Sequence, residues 1–154
     1  MDDVSDIIGD YSGNCRTVLD YCMATKRTVD VAKQPGFTID GWAPLAELVD
    51  TDNFVRVGNF KEIMSWQQYV SFLTKWATSA QWECSFKRIT AKGNVVFLEL
   101  EERNGRGDSR NSVNSMSVYE FDDQGRIRRI DVYLQMALPD PGKLVGYDNV
   151  KISQ

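Results

Sequence analysis

The sequence predicts an α+β domain in which helices come first and a curved antiparallel sheet follows, and three observations carry that reading. Up to about residue 79 apolar side chains recur at three- and four-residue steps, the period of an amphipathic helix. After residue 80 the period becomes two, the signature of a strand with one buried face. Three turn signals, "AKGN" at 91–94, "NGRGDSRN" at 104–111 and "DDQG" at 122–125, then divide the second half into four strands. A strongly twisted meander of that length can curl around the preceding helices and enclose a cavity.

Residues 1–13 are acidic and punctuated by glycine, and are expected to form a flexible N-terminal arm. From Cys15 to about Lys33, the residues Val18, Leu19, Cys22, Met23, Val29 and Ala32 form one apolar stripe, with Arg16, Asp20, Lys26 and Asp30 between them. "KQPGF" ends this helix, because Pro35 has no amide hydrogen and Gly36 accepts backbone angles that helices exclude. Asp40 is placed to cap a second helix carrying Trp42, Leu45, Leu48 and Val49 on one face, with Pro44 tolerated in its first turn. "NFVRVGNF" alternates and is β-branched, so residues 53–57 are read as the first strand. Ser65-Trp66-Gln67-Gln68 has the pattern of a capping box, and the helix after it aligns Trp66, Tyr69, Val70, Leu73, Trp76 and Ala77. The four meander strands are expected near residues 81–90, 95–103, 112–121 and 126–136. Pro139 and Pro141 then end regular structure and leave a C-terminal tail over 137–154.

The 154 residues, 42% hydrophobic and 26% charged, suit a single domain. A net charge of -4 and the lack of a basic block beyond Arg126, Arg128 and Arg129 argue against nucleic acid as a partner. No apolar run approaches the roughly 20 residues of a membrane span, and "MDDVSDIIGD" lacks the regions of a signal peptide. A cytoplasmic location without membrane association is expected. Cys15, Cys22 and Cys84 have no paired spacing and read as small, partly buried apolar residues in a reducing compartment. The chain has no histidine, which removes the commonest general base and transition-metal ligand. No cofactor and no metal are expected.

Arg106-Gly107-Asp108-Ser109 matches a tetrapeptide read by cell-adhesion receptors. Without a signal peptide, a disulfide pattern or an Asn-x-Ser/Thr site, the turn is the better reading. Gly105 and Gly107 supply positive backbone angles, and Asn104, Asp108 and Asn111 supply side-chain hydrogen bonds, for a reversing loop longer than a two-residue hairpin and therefore mobile.

Three stretches carry a resemblance to a known superfamily: "LAELVDTDNFVRVG" (45–58), the helix after "EIMSW", and "VYEFDDQGRIRRIDVYLQ" (118–135). Together they resemble the nuclear transport factor 2-like proteins of the SnoaL-like type, relatives of polyketide cyclases, ketosteroid isomerase and limonene epoxide hydrolase. The resemblance covers residues 14–136. It implies a cystatin-like α+β roll, cone-shaped, with an internal pocket. In that alignment the isomerase's general base falls on Val57, its protonated oxyanion partner on Ser117, and the catalytic aspartate of the epoxide hydrolases on Val132. The acids of these relatives are therefore absent. A slip of one residue in the alignment would put Arg56 or Asp131 inside instead.

The residues that remain define two readings. In the first, the chain is a small-molecule enzyme that isomerises, dehydrates or cyclises an apolar carbonyl compound by proton transfer in the cone pocket. Glu99, Glu101 and Tyr119 are then the catalytic candidates. Tyr21, Trp42, Val55, Arg56, Val57, Trp66, Tyr69, Ser115, Ser117, Ile130, Val132 and Leu134 are the ligand-binding candidates. Each has a structural alternative: the aromatic residues as core, Arg56 as an outward partner of a sheet neighbour, Glu99 and Glu101 either on the outer face or paired with arginines at a dimer interface. In the second reading, the same cone binds a hydrophobic small molecule or a protein partner without turnover. A homodimer through the outer sheet face, with Phe97 and Tyr133, is expected in either case.

Overall fold

The computed structural model describes residues 1–138 and 145–152. The expected break at Pro139 and Pro141 lies outside the described residues. Among the described residues, a six-stranded sheet in the order β2-β1-β6-β5-β4-β3 curves around four helices without closing. Its strands are β1 (Val55–Val57), β2 (Ile63–Met64), β3 (Gln81–Lys92), β4 (Val95–Arg106), β5 (Ser109–Phe121) and β6 (Ile127–Gln135). All neighbours are antiparallel except β1 and β6, which run parallel. This is the α+β arrangement that the change of period predicts.

The helices are α1 (Val4–Ile7), α2 (Gly13–Val31), α3 (Ala43–Ala46) and α4 (Trp66–Ala77). The stripe read from the sequence is the buried face of α2: Val18, Leu19 and Val29 are fully enclosed, and the helix packs on β3 and β4. α4 starts where the capping box predicts. The Gln68 amide donates to Ser65 Oγ at 3.3 Å, and the Ser65 amide donates to Gln68 Oε1 at 2.9 Å, so two otherwise orphaned amides are satisfied. Val70, Leu73 and Ala77 turn its apolar face to the core.

Three elements differ from the sequence reading. The N-terminal residues are no loose arm. Asp3 caps α1 through the Ser5 amide, the Phe86 amide donates to the Asp2 carbonyl at 2.7 Å, and Val4 is 2% exposed. The second predicted helix is a 3-10 turn (Ile39–Trp42) running into the four-residue α3, and Asp40 makes no capping bond. Pro44 brings no donor to that first turn, and the segment is too short to propagate.

The third difference concerns Arg106-Gly107-Asp108-Ser109. β4 and β5 continue to Arg106 and Ser109, which pair directly, so the loop is a two-residue hairpin rather than a long reversal. Gly107 adopts φ +56, the angle that the first central residue of a type II′ turn requires. The Arg110 guanidinium bonds the Gly107 carbonyl at 2.7 Å and ties the turn to the strand that follows.

Candidate functional site

Strand register decides which side chains look into the cone, because partners across a ladder share a face and neighbours along a strand do not. Three successive rows on the inner face are Val96–Tyr119–Ile130, Leu98–Ser117–Val132 and Leu100–Ser115–Leu134. The next row toward the hairpin end is Cys84–Glu102–Val113, and beyond it lies Trp82–Asn104–Asn111. Arg56 pairs with Ile130 across the parallel β1–β6 ladder and so also faces inward.

Part of these rows, with Arg56, with Tyr21, Cys22 and Thr25 from α2 and with Tyr69 from α4, borders a cavity of about 180 Å³. Cavities of roughly 150 Å³ hold benzene, so the space suits a molecule of one-ring size. A second space of about 210 Å³, bordered by Phe72, Leu73 and Trp76, shares Thr25, Arg56, Tyr69, Trp82, Glu102 and Asn104 with it. A larger groove of about 660 Å³ lies on the other side of Trp82, between α2 and the β4–β5 hairpin. Its cations are already engaged: Lys26 with Asp30, Arg103 with Glu101, Lys33 with the Val29 carbonyl, and Arg110 with Gln81. The smaller cavity is the better candidate, because among the described residues the buried Tyr21 hydroxyl that lines it has no hydrogen-bond partner and Arg56 at its border has no ion pair.

Glu102 is the carboxylate of this cavity. Its Oε1 accepts a 2.7 Å hydrogen bond from Trp82 Nε1, which fixes the carboxylate on the inner wall. Arg56 lies at the same border with its guanidinium carbon 4.6 Å from the centre of the Tyr69 ring. Among the described residues, no carboxylate lies within salt-bridge reach of Arg56, although Glu62 shares the space above Gly58 with Arg56 Nη1.

Tyr21 and Tyr119 meet edge to face, with ring centres 6.0 Å apart. Both phenols are held well above their ordinary pKa, first by burial and then by neighbouring groups such as Tyr69, with Arg56 pulling weakly the other way. They remain neutral donors. The Tyr21 hydroxyl is fully enclosed and, among the described residues, has no hydrogen-bond partner; the Ser115 hydroxyl is in the same condition. Phenol donors and a guanidinium beside an oriented carboxylate can together bind an oxygen-bearing apolar molecule, steady negative charge on that oxygen and move a proton.

Of the residues singled out from sequence, Tyr21, Arg56, Tyr69, Ser117, Tyr119, Ile130, Val132 and Leu134 line this cavity. Others do not. Glu99 and Glu101 alternate with Leu98 and Leu100 and so point to the outer face, where Arg88 (2.7 Å) and Arg103 (3.2 Å) pair with them. Val55 and Val57 flank the inward Arg56 and face outward beside Arg129 and Asp131. Trp42 is 1% exposed in the core, with its Nε1 committed to Thr74 Oγ1 at 2.9 Å and its ring against Phe37. Trp66 packs edge to face on Phe54, 5.2 Å away, behind the cavity wall. Ser115 is buried on the inner face between Leu100 and Leu134, without reaching the cavity.

Sequence reasoning missed Glu102, Asn104 and Trp82. The signal was present: extending the inward series Leu98, Leu100 by period two reaches Glu102 and Asn104. Asn104 falls beyond the expected strand end at Arg103, whereas Glu102 and Trp82 lie inside expected strands, where alternation alone does not say which face is the inner one. Among the described residues no three His, Cys, Asp or Glu side chains come together as metal ligands would.

No family model and no curated protein matches the chain. Solved structures do. A nuclear transport factor 2-like protein of unknown function from Burkholderia pseudomallei aligns with TM-score 0.64 at 10% identity, covering 81% of this chain and 92% of that one. A candidate polyketide cyclase from Pseudomonas putida gives TM-score 0.63 at 10% identity over 80% of this chain and 92% of its own. An LEH-like epoxide hydrolase from Mycobacterium tuberculosis gives 0.54 at 19% identity over 73% and 84%. At these identities the likeness establishes the fold: an α+β cone of the nuclear transport factor 2-like type. Among the described residues, no helix is long and apolar enough to cross a membrane.

Proposed function

We propose that the cone cavity binds a small, largely apolar carbonyl compound and transfers a proton on it, as an isomerase, dehydratase or cyclase would. One observation carries this reading: an oriented carboxylate, Glu102, and a guanidinium without an ion pair among the described residues, Arg56, border one cavity with buried neutral phenols. Glu102 takes or returns the proton. Arg56, Tyr21 and Tyr119 steady the oxyanion that develops. Leu100, Val113, Ile130, Val132 and Leu134 hold the apolar body of the substrate. The similar structures include proteins described as a polyketide cyclase candidate and an epoxide hydrolase, which supports small-molecule chemistry in this fold without specifying it.

The second reading, binding without turnover, is favoured by the apolar Val132 on the cavity wall, at the position where the resemblance to epoxide hydrolases would imply an acid. One experiment separates the two. Cyclic ketones, enones and phenols of one-ring size are titrated into labelled protein in heavy water, and chemical shifts are followed with deuterium entry next to the carbonyl. Proton transfer predicts shifts at Tyr21, Arg56, Glu102 and Val132 together with catalysed exchange. Shifts without exchange leave only the binding module, and no shifts at these residues dispose of both readings.

We propose in addition that the outer sheet face joins two copies of the chain. Phe97, Val118, Met116 and Tyr133 lie there among the Arg88–Glu99 and Arg129–Asp131 pairs, and Met116 and Tyr133 are 36% and 56% exposed. Light scattering should give twice the 17.5 kDa of one chain; the single-chain mass would refute the dimer.

A further inference from the structure

Cys22, in the middle of α2, and Cys84, on the inner face of β3, bring their sulfur atoms to 3.8 Å although 62 positions separate them in sequence. Neither is bonded to another cysteine. A small cavity of about 180 Å³ opens onto both sulfurs, bordered by Asp3, Val4, Lys26 and Arg103. Cys22 is 4% exposed and Cys84 partly exposed, so a reagent entering by this cavity meets Cys84 first.

We propose that Cys22 and Cys84 form a peroxide-reactive dithiol site, with Cys84 as the thiol that reacts first and Cys22 as the one that resolves it. In the first step the Cys84 thiolate attacks one peroxide oxygen, the O–O bond breaks, and hydroxide leaves to give a sulfenic acid. In the second, the Cys22 sulfur attacks the Cys84 sulfur and the S–O bond breaks. The departing hydroxide takes the Cys22 proton and leaves as water. Two thiols and one hydrogen peroxide thus give one disulfide and two waters. The two sulfurs are oxidised and the peroxide oxygens reduced, with no further reagent.

The surroundings favour this division of roles. The hydrogen bond shared with Cys22 is the largest influence on Cys84 and holds its thiol below the ordinary range, with Arg103 assisting; burial and the Asp3 and Glu102 carboxylates oppose it. The same bond, with burial, pushes Cys22 well up, as suits a partner that stays protonated until it is used. Closing the bond needs the sulfurs to approach to roughly 2.05 Å. Because Cys22 also lines the cone cavity, the staple would move one wall of it.

The native chain is treated with hydrogen peroxide, unfolded, alkylated and digested. Of the three thiols, only Cys15 should remain to be alkylated; Cys22 and Cys84 should appear in one cross-linked peptide, and a dithiol reductant should restore all three. The oxidised chain should melt roughly 5–10 °C higher, as expected for a cross-link closing a long loop in a domain of this size. In Cys22→Ser, a sulfenic-acid trap should label Cys84 rather than Cys15. Three alkylated thiols after peroxide, a cross-link that includes Cys15, or a trap adduct on Cys15 would each overturn the proposal. The mapping of the unmodified chain does not depend on whether the variant folds.

Discussion

Trp82 Nε1 donates a 2.7 Å hydrogen bond to Glu102 Oε1. Trp82 pairs with Asn104 and Glu102 with Cys84, so indole and carboxylate are diagonal neighbours on the inner face of the β3–β4 ladder. The bond gives a half-buried carboxylate one fixed direction, and the same indole forms the wall between the cone cavity and the outer groove.

Trp82→Phe keeps an aromatic ring but removes the donor. A hydrogen bond to a charged group is worth about 1.5–3 kcal/mol, so urea unfolding should show a loss of roughly that size. Unchanged stability would mean that the bond does not hold Glu102 in solution.

Tyr21→Phe should behave in the opposite way. Its hydroxyl is enclosed without a partner, so removing it is predicted to be neutral or to stabilise by up to about 1 kcal/mol while weakening oxyanion binding. Alkaline stability follows from the same environment. Above the ordinary value of 10.0 an unfolded tyrosine loses its proton, whereas folded Tyr21 and Tyr119 keep theirs. The native state then binds more protons, and stability falls as pH rises through that window. The double variant Tyr21→Phe, Tyr119→Phe should flatten this fall, as urea midpoints measured from pH 9 upward would show.

Arg56→Met separates ligand recognition from folding. Arg56 has no ion pair among the described residues and rests on Tyr69, a contact worth about 0.5–1 kcal/mol at an exposed site. Stability should therefore change by no more than about 1 kcal/mol. Affinity for a phenolate, which mimics an enolate in size and charge, should fall at least about tenfold, the loss of one charge-assisted hydrogen bond. A folded Arg56→Met variant that binds phenolate undiminished would contradict this assignment.

Ser65→Ala removes the hydroxyl of the capping box that starts α4 and should cost about 1 kcal/mol. A melting curve registers that as a fall of roughly 2–4 °C for a chain of this size.

What could be read from the chain was what local chemistry decides. The Ser65 box, the α2 stripe and the turns at Gly93 and Gly125 depend on residues within a few positions of one another. The seat of the N-terminal segment was not legible, because its order rests on Asp2 meeting Phe86 and Val4 entering a core built by distant residues. The candidate site divides along the same line. Ser117, Tyr119, Ile130 and Val132 share a face by alternation, which sequence displays. Glu102 and Trp82 lie within the expected strands, but which face of β4 is the inner one was set by its pairing with β5, which puts Leu98 opposite Ser117 and Glu102 opposite Val113. The fate of Arg56 was set by the parallel pairing of β1 with β6, where Arg56 meets Ile130, a contact between distant parts of the chain.

Glu102 and Glu101 are adjacent in β4 and face opposite sides of the sheet, one into the cavity and one onto Arg103. Deuterium entry into an enolisable cyclic ketone, followed by proton NMR for Glu102→Gln and Glu101→Gln in parallel, tests the proposed chemistry most directly. The Glu102 variant should exchange at least about 100-fold more slowly than the unmodified chain, the size of a general-base contribution, while the Glu101 variant should match the unmodified chain. Exchange that survives in Glu102→Gln, or falls equally in both variants, would contradict proton transfer by Glu102.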